Sequence, residues 1–165
     1  MPSMHSVAPS LTLGRAVRWL VVLAVAATGC AGRPATVASS PVRPQIVIPS
    51  RQGTGPFSGA VRVGNLLFLS GQIGTDSTGG LAKGGTAAET YAALRIIDKL
   101  LVQAGSSMDR VAKCTVMIAD MKDWAAMNEV YIKFFPKDPP ARSSFGANGL
   151  ALGAHVEIEC IAAID

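Results

Sequence analysis

Hydrophobic and polar positions fall into three regimes along the chain. Trp19 to Ala27 is an unbroken apolar run, residues 31–53 carry no period, and from Ala60 onward apolar residues recur at strand or helix spacing. Two apolar stretches between Ala60 and Ser70 flank Gly64-Asn65, a pair that predicts a two-residue hairpin turn because glycine accepts positive φ at the first position. Over residues 86–104, Ala93, Leu94, Ile97, Leu100, Leu101 and Ala104 share one helical stripe, with Arg95, Lys99 and Gln103 on another, and Gly105 is placed to close the helix. Val111 to Ile118 is a β-rich run. Asp123 stands as N-cap of a second helix bearing Met127, Val130, Tyr131 and Phe134 at core spacing, which Pro136 ends. Pro139-Pro140 predicts an extended loop, followed by a short strand near Arg142 to Phe145 and a longer one from His155 to Ala163. Strands, helix, strand, helix, strands in that order give an α+β fold, a mixed sheet with two helices packed on one face. In the last strand Val156, Ile158, Cys160 and Ala162 suit the helix layer. His155, Glu157, Glu159 and Ile161 present a mixed face suited to another subunit or a site.

The apolar run changes the picture at the other end of the chain. Arg15 and Arg18 precede it and Thr28-Gly29-Cys30 follow it, the order of a secretory leader over residues 1–29. The run is far short of the ~20 residues that a spanning helix needs. Ala27-Thr28-Gly29-Cys30 resembles a bacterial lipobox, with Ala27 where Leu is more usual. That resemblance implies acylation of Cys30 and a membrane anchor facing the periplasm, and Ala31 after the cysteine favours the outer membrane over the inner. Residues 30–52, broken by Pro34, Pro41, Pro44 and Pro49, read as a flexible tether, although Gln45-Ile46-Val47-Ile48 can add a first strand at the domain edge. The folded domain is expected over residues 53–165.

Composition then excludes some function classes. At 165 residues, 49% hydrophobic and 16% charged, the chain suits one compact domain and not a disordered one. Loss of the leader removes Arg15 and Arg18 and no acid, which leaves 13 basic against 11 acidic residues, a net charge of +2. So small and dispersed a charge offers no nucleic-acid footprint. Beyond the leader His155 is the single histidine, with no cluster suited to zinc, and no G-x-S-x-G marks a nucleophile elbow. Cys114 and Cys160 each sit in a predicted strand among Val, Ile and Ala, where they read as small buried hydrophobes. Spacing leaves a disulfide between them open.

Five segments in order resemble the RidA (YjgF-type) family of imine deaminases: Gly55-Pro56-Phe57-Ser58, Ser70-Gly71-Gln72, Asp123 to Tyr131, Pro140-Ala141-Arg142-Ser143, and Val156-Glu157-Ile158-Glu159 leading into Ile161-Ala162. The resemblance implies a chorismate-mutase-like fold and a homotrimer with sites in the clefts between subunits. It assigns to Arg142 the grip on a substrate carboxylate, for which a planar guanidinium fork is suited and lysine is not. It assigns to Glu157 the place beside the bound imine, where a carboxylate holds or activates water. Gly71 and Ser144 correspond to positions whose backbone amides help hold the ligand, and Asn128, Ser70 and Phe57 to the cleft lining. Glu159, on the same strand face as Glu157, reads as structural.

Two departures bear on the chemistry. Phe57 stands where the family usually has Tyr, which removes a phenolic hydroxyl, and Ser144 replaces a common Cys. The expected reaction is hydrolysis of small 2-imino acids to 2-oxo acids and ammonia, with no metal or organic cofactor called for and with small imino or oxo acids as partners. The alternative is an envelope-anchored module that binds small carboxylates without turnover. Ribonuclease activity, ascribed to some relatives, lacks a basic groove here.

Overall fold

A computed structural model describes residues 42–49 and 56–165 of the chain. Cys30, the leader and most of the expected tether lie outside the described residues.

Among the described residues, seven strands form one sheet: β1 (Gln45–Ile48), β2 (Ala60–Val63), β3 (Leu66–Leu69), β4 (Gln72–Ile73), β5 (Val111–Ile118), β6 (Ala141–Gly146) and β7 (Val156–Ala163). Two helices, α1 (Gly85–Gln103) and α2 (Trp124–Phe134), complete the domain. The spatial order is β1-β2-β3-β7-β5-β6, with β4 also paired to β7. Only β5 and β6 run parallel, because α2 carries the chain back between them, and the other pairs are antiparallel. The sheet is therefore mixed, as the element order predicts. β1 falls within the span read as tether. It is the edge strand that its Gln-Ile-Val-Ile pattern allows, and Ile48 joins the core.

The turn between β2 and β3 forms at Gly64-Asn65, with Gly64 at φ +62°. α1 buries Ala93, Leu94, Ile97 and Leu101 against the sheet, the three larger side chains contributing roughly 1.5–3 kcal/mol each. Gly105, at φ +83°, closes the helix in a Schellman arrangement, with the Ser106 amide donating to Leu101 (2.8 Å) and the Gly105 amide to Val102 (3.1 Å).

The start of α2 departs from expectation. Asp123 occupies the N-cap position, but its carboxylate makes no capping bond and accepts instead from the Thr86 hydroxyl of α1 at 2.5 Å. A short 3₁₀ turn, Met121–Asp123, leads into the helix and is capped by Asp120, which accepts from the Lys122 amide at 3.0 Å. Asp123 thus ties the two helices together, a partner that local spacing cannot reveal.

The thiols also differ from their reading as separate buried hydrophobes. Cys114 and Cys160 face each other across β5 and β7 with Cα atoms 4.1 Å apart, and their sulfurs are bonded. Both side chains point into the core beneath the helices. A further buried tie joins α1 to the start of β7. Glu89, 2% exposed, accepts from the His155 backbone amide at 2.7 Å and lies 2.6 Å from its Nδ1.

Candidate active site

The residues singled out from the sequence fall into two groups on opposite sides of the sheet. In the parallel register of β5 and β6, Arg142 pairs with Cys114 and Ser144 with Val116. Paired residues point to the same side, so Arg142 and Ser144 share the helix side with those two buried residues. On β7, Glu157 pairs with Met117 and alternates with buried Val156 and Ile158, so it stands on the uncovered side. The expectation that the guanidinium and the carboxylate face one space is not met within a single protomer. The sheet itself lies between them.

The first group is built around the β6 edge and α2. Trp124, Asn128 and Tyr131 stand at i, i+4 and i+7, which aligns them along one helix face. The Arg142 guanidinium carbon lies 4.5 Å from the centre of the Tyr131 ring and 5.8 Å from that of Trp124. Both are within cation–π reach. No hydrogen bond or ion pair holds Arg142 among the described residues. Its side chain borders a crevice of about 300 Å³, lined also by Asn128, Tyr131, Ile132, Phe135 and Pro140. The Tyr131 hydroxyl and Ser144 Oγ are buried without partners among the described residues. Burial pushes the Tyr131 phenol up to about 12, against a smaller downward pull from Arg142, so it stays neutral at physiological pH.

The second group is built around an irregularity between β3 and β4. Phe68 pairs with Ile161 and Gln72 with Ile158, so three residues, Leu69 to Gly71, stand opposite two, Glu159 and Cys160. That extra residue is a β-bulge, a device that re-aims backbone and side chains locally. Gly71 sits in it directly against Glu157, whose carboxyl carbon would lie 2.9 Å from a Cβ added at Gly71. Only a residue without Cβ leaves the carboxylate where it is. Ser70 Oγ donates to the Ser58 carbonyl at 2.6 Å and its amide donates to Gly59 at 3.2 Å. These bonds bring the loop carrying Phe57, itself 62% exposed, beside the same bulge. Glu157 is partly exposed and has no hydrogen-bonding or ionic partner among the described residues. Glu159 is exposed farther along the same face.

The structure thus brings Phe57, Ser70, Gly71 and Glu157 into one neighbourhood and Asn128, Arg142 and Ser144 into another. Sequence reasoning assigned Tyr131 to the core alone and gave Trp124 no separate role. The seven-residue spacing of two aromatics about Asn128 was the available signal, but core packing explains the same stripe equally well.

The family described as endoribonuclease L-PSP matches residues 49–164, nearly the whole described domain. The chain belongs to this family, the RidA/YjgF family. A mouse RidA-family relative named 2-iminobutanoate/2-iminopropanoate deaminase is 41% identical over 109 residues, covering 66% of this chain and 81% of its own. Reactive Intermediate Deaminase A of Arabidopsis thaliana, chloroplastic, is 36% identical over 132 residues, 78% of this chain and 71% of its own. Among solved structures, RidA from an Antarctic Psychrobacter superposes with TM-score 0.65 at 32% identity, covering 76% of this chain and 99% of its own. A YjgF-family protein of Neisseria meningitidis gives TM-score 0.64 at 27% identity, covering 76% and 98%. The mixed sheet with two helices on one face is the RidA/YjgF fold.

Proposed function

We propose that this protein hydrolyses small 2-imino acids to 2-oxo acids and ammonia, at sites completed between the subunits of a homotrimer. The observation that carries the reading is Arg142, an unpaired guanidinium bordering a crevice, within a family whose relatives include named imine deaminases. Its fork pairs bidentately with the substrate carboxylate. The Glu157 carboxylate of a neighbouring copy, backed by Gly71, holds the attacking water. The water oxygen adds to the imine carbon while nitrogen gains a proton. The resulting carbinolamine collapses, the C–N bond breaks, and ammonia leaves behind a carbonyl. Orientation plus one acid/base group suffices for an electrophile of this kind.

Two features support assembly. The sheet separates Arg142 from Glu157 within one protomer, so a complete site needs a second copy. The uncovered face also carries exposed Leu66, Phe68 and Phe145, apolar surface suited to burial between subunits.

Turnover is tested by following 2-iminobutanoate, generated in situ, with semicarbazide as competing trap. Acceleration over buffer is expected, falling at least a hundredfold in Arg142→Ala. No acceleration by the wild-type protein would leave the carboxylate-binding module as the function. Acceleration that survives Arg142→Ala would remove the site assignment.

We further propose that the protein is exported and anchored by acyl chains on Cys30, facing the periplasm. Supporting this are the leader pattern of residues 1–29 and the Cys114–Cys160 disulfide, since such bonds persist chiefly in oxidising compartments. No helix among the described residues is long and apolar enough to cross a membrane. Cells expressing the protein should incorporate labelled fatty acid into it, and Cys30→Ala should abolish that. Label persisting on the variant rules out the anchor.

A further inference from the structure

Arg142 has no acidic partner among the described residues. Three other arginines of the domain are held by polar partners: Arg95 by Asp98 at 2.9 Å, Arg110 by Asp165 at 2.8 Å, and Arg62 by the carbonyls of Gly64 and Asp165 at 2.7 and 2.9 Å. Arg142 has aromatic neighbours instead. The Tyr131 ring, 4.5 Å from the guanidinium carbon, is itself held in place. It is 3% exposed and packs on Phe135 with ring centres 4.8 Å apart. Trp124 approaches at 5.8 Å from two helical turns earlier and stays 39% exposed.

We propose that Trp124 and Tyr131 form an aromatic seat that positions the Arg142 guanidinium to receive the ligand carboxylate. This rests on the reading of Arg142 as carboxylate receptor and adds two positioning residues to it. An acidic partner would hold the guanidinium as firmly but would compete with the ligand and cancel its charge. A neutral aromatic face attracts the cation through its quadrupole and leaves the N–H donors free along the plane of the fork. Pre-ordering a long side chain also removes rotamer entropy that binding would otherwise have to overcome. The ring, and not the hydroxyl, does this work, because the hydroxyl is buried with no partner. The seat therefore tolerates loss of the oxygen and not loss of the ring.

The test measures binding of 2-oxobutanoate, a carboxylate that is not turned over, by calorimetry on the full chain, alongside KM and kcat for 2-iminobutanoate. Trp124→Ala and Tyr131→Leu should each weaken 2-oxobutanoate binding roughly tenfold and raise KM to match, with kcat within about twofold, as expected for lost cation–π attraction. Tyr131→Phe and Trp124→Phe should bind within about twofold of wild type. Melting temperatures separate the role from folding: Tyr131→Phe should melt no lower than wild type, since it removes an unsatisfied buried hydroxyl. The wild-type protein should also show ligand-dependent fluorescence that Trp124→Phe lacks. If binding is unchanged in Trp124→Ala and in a folded Tyr131→Leu, or if Tyr131→Phe alone destroys it, the seat is wrong. Failure of 2-oxobutanoate to bind the wild type overturns it as well. Wild-type binding without turnover, weakened by the ring-removing variants, upholds the seat while rejecting the deaminase.

Discussion

A single missing Cβ decides whether Glu157 can stand where the proposed mechanism wants its carboxylate. Gly71 lies against that side chain so closely that any Cβ would overlap it. Gly71→Ala is therefore expected to displace the carboxylate, reducing kcat at least tenfold while 2-oxobutanoate binding through Arg142 persists. Unchanged kcat in a folded Gly71→Ala protein would contradict the role given to Glu157. Side-chain types were legible at this scale. The motif singles out Arg142 and Glu157 as the proposed site residues because a guanidinium fork and a carboxylate have few substitutes in the proposed chemistry. The surroundings were not legible: that Arg142 has no ionic partner among the described residues and that Asp123 pairs with Thr86 depend on which elements meet.

Elements were the most readable level. The α1 stripe, the Gly64 turn and the Gly105 cap follow from local periodicity and backbone freedom, so the structure reproduces them. Irregularities were harder. The bulge at Leu69 to Gly71 leaves no periodic trace, since one extra residue merely shifts the alternation and is visible only against β7. The disulfide has the same origin. Cys114 and Cys160 are bonded because the antiparallel register sets them directly opposite, and 46 residues of sequence separation carry no information about register. Phe57 also belongs at this level: its ring is exposed on the loop tied to Ser70 and carries no hydroxyl.

At the scale of the whole molecule, the sheet stands between Arg142 and Glu157, the two halves of the proposed site. A site shared between copies makes a specific prediction for mixtures. Arg142→Ala and Glu157→Gln proteins should each be nearly inactive alone. Unfolded and refolded together in equal amounts, they should recover activity at roughly one site in four, where each neighbour contributes its intact half. Sedimentation or light scattering should report a trimer throughout. Mixtures as inactive as their components would mean that the site is not shared.

From the sequence alone come the identity of the elements, their order, and the residue types able to grip a carboxylate and manage a water molecule. These are set by local periodicity, turn chemistry and functional-group chemistry, which act over a few residues. Only the tertiary structure decides that the cysteines are bonded, that Arg142 rests on two aromatic rings, and that the guanidinium and the carboxylate lie on opposite sides of one sheet. Those facts depend on strand register and on alternation across the sheet, which arise when distant segments pair and which no short stretch of chain encodes.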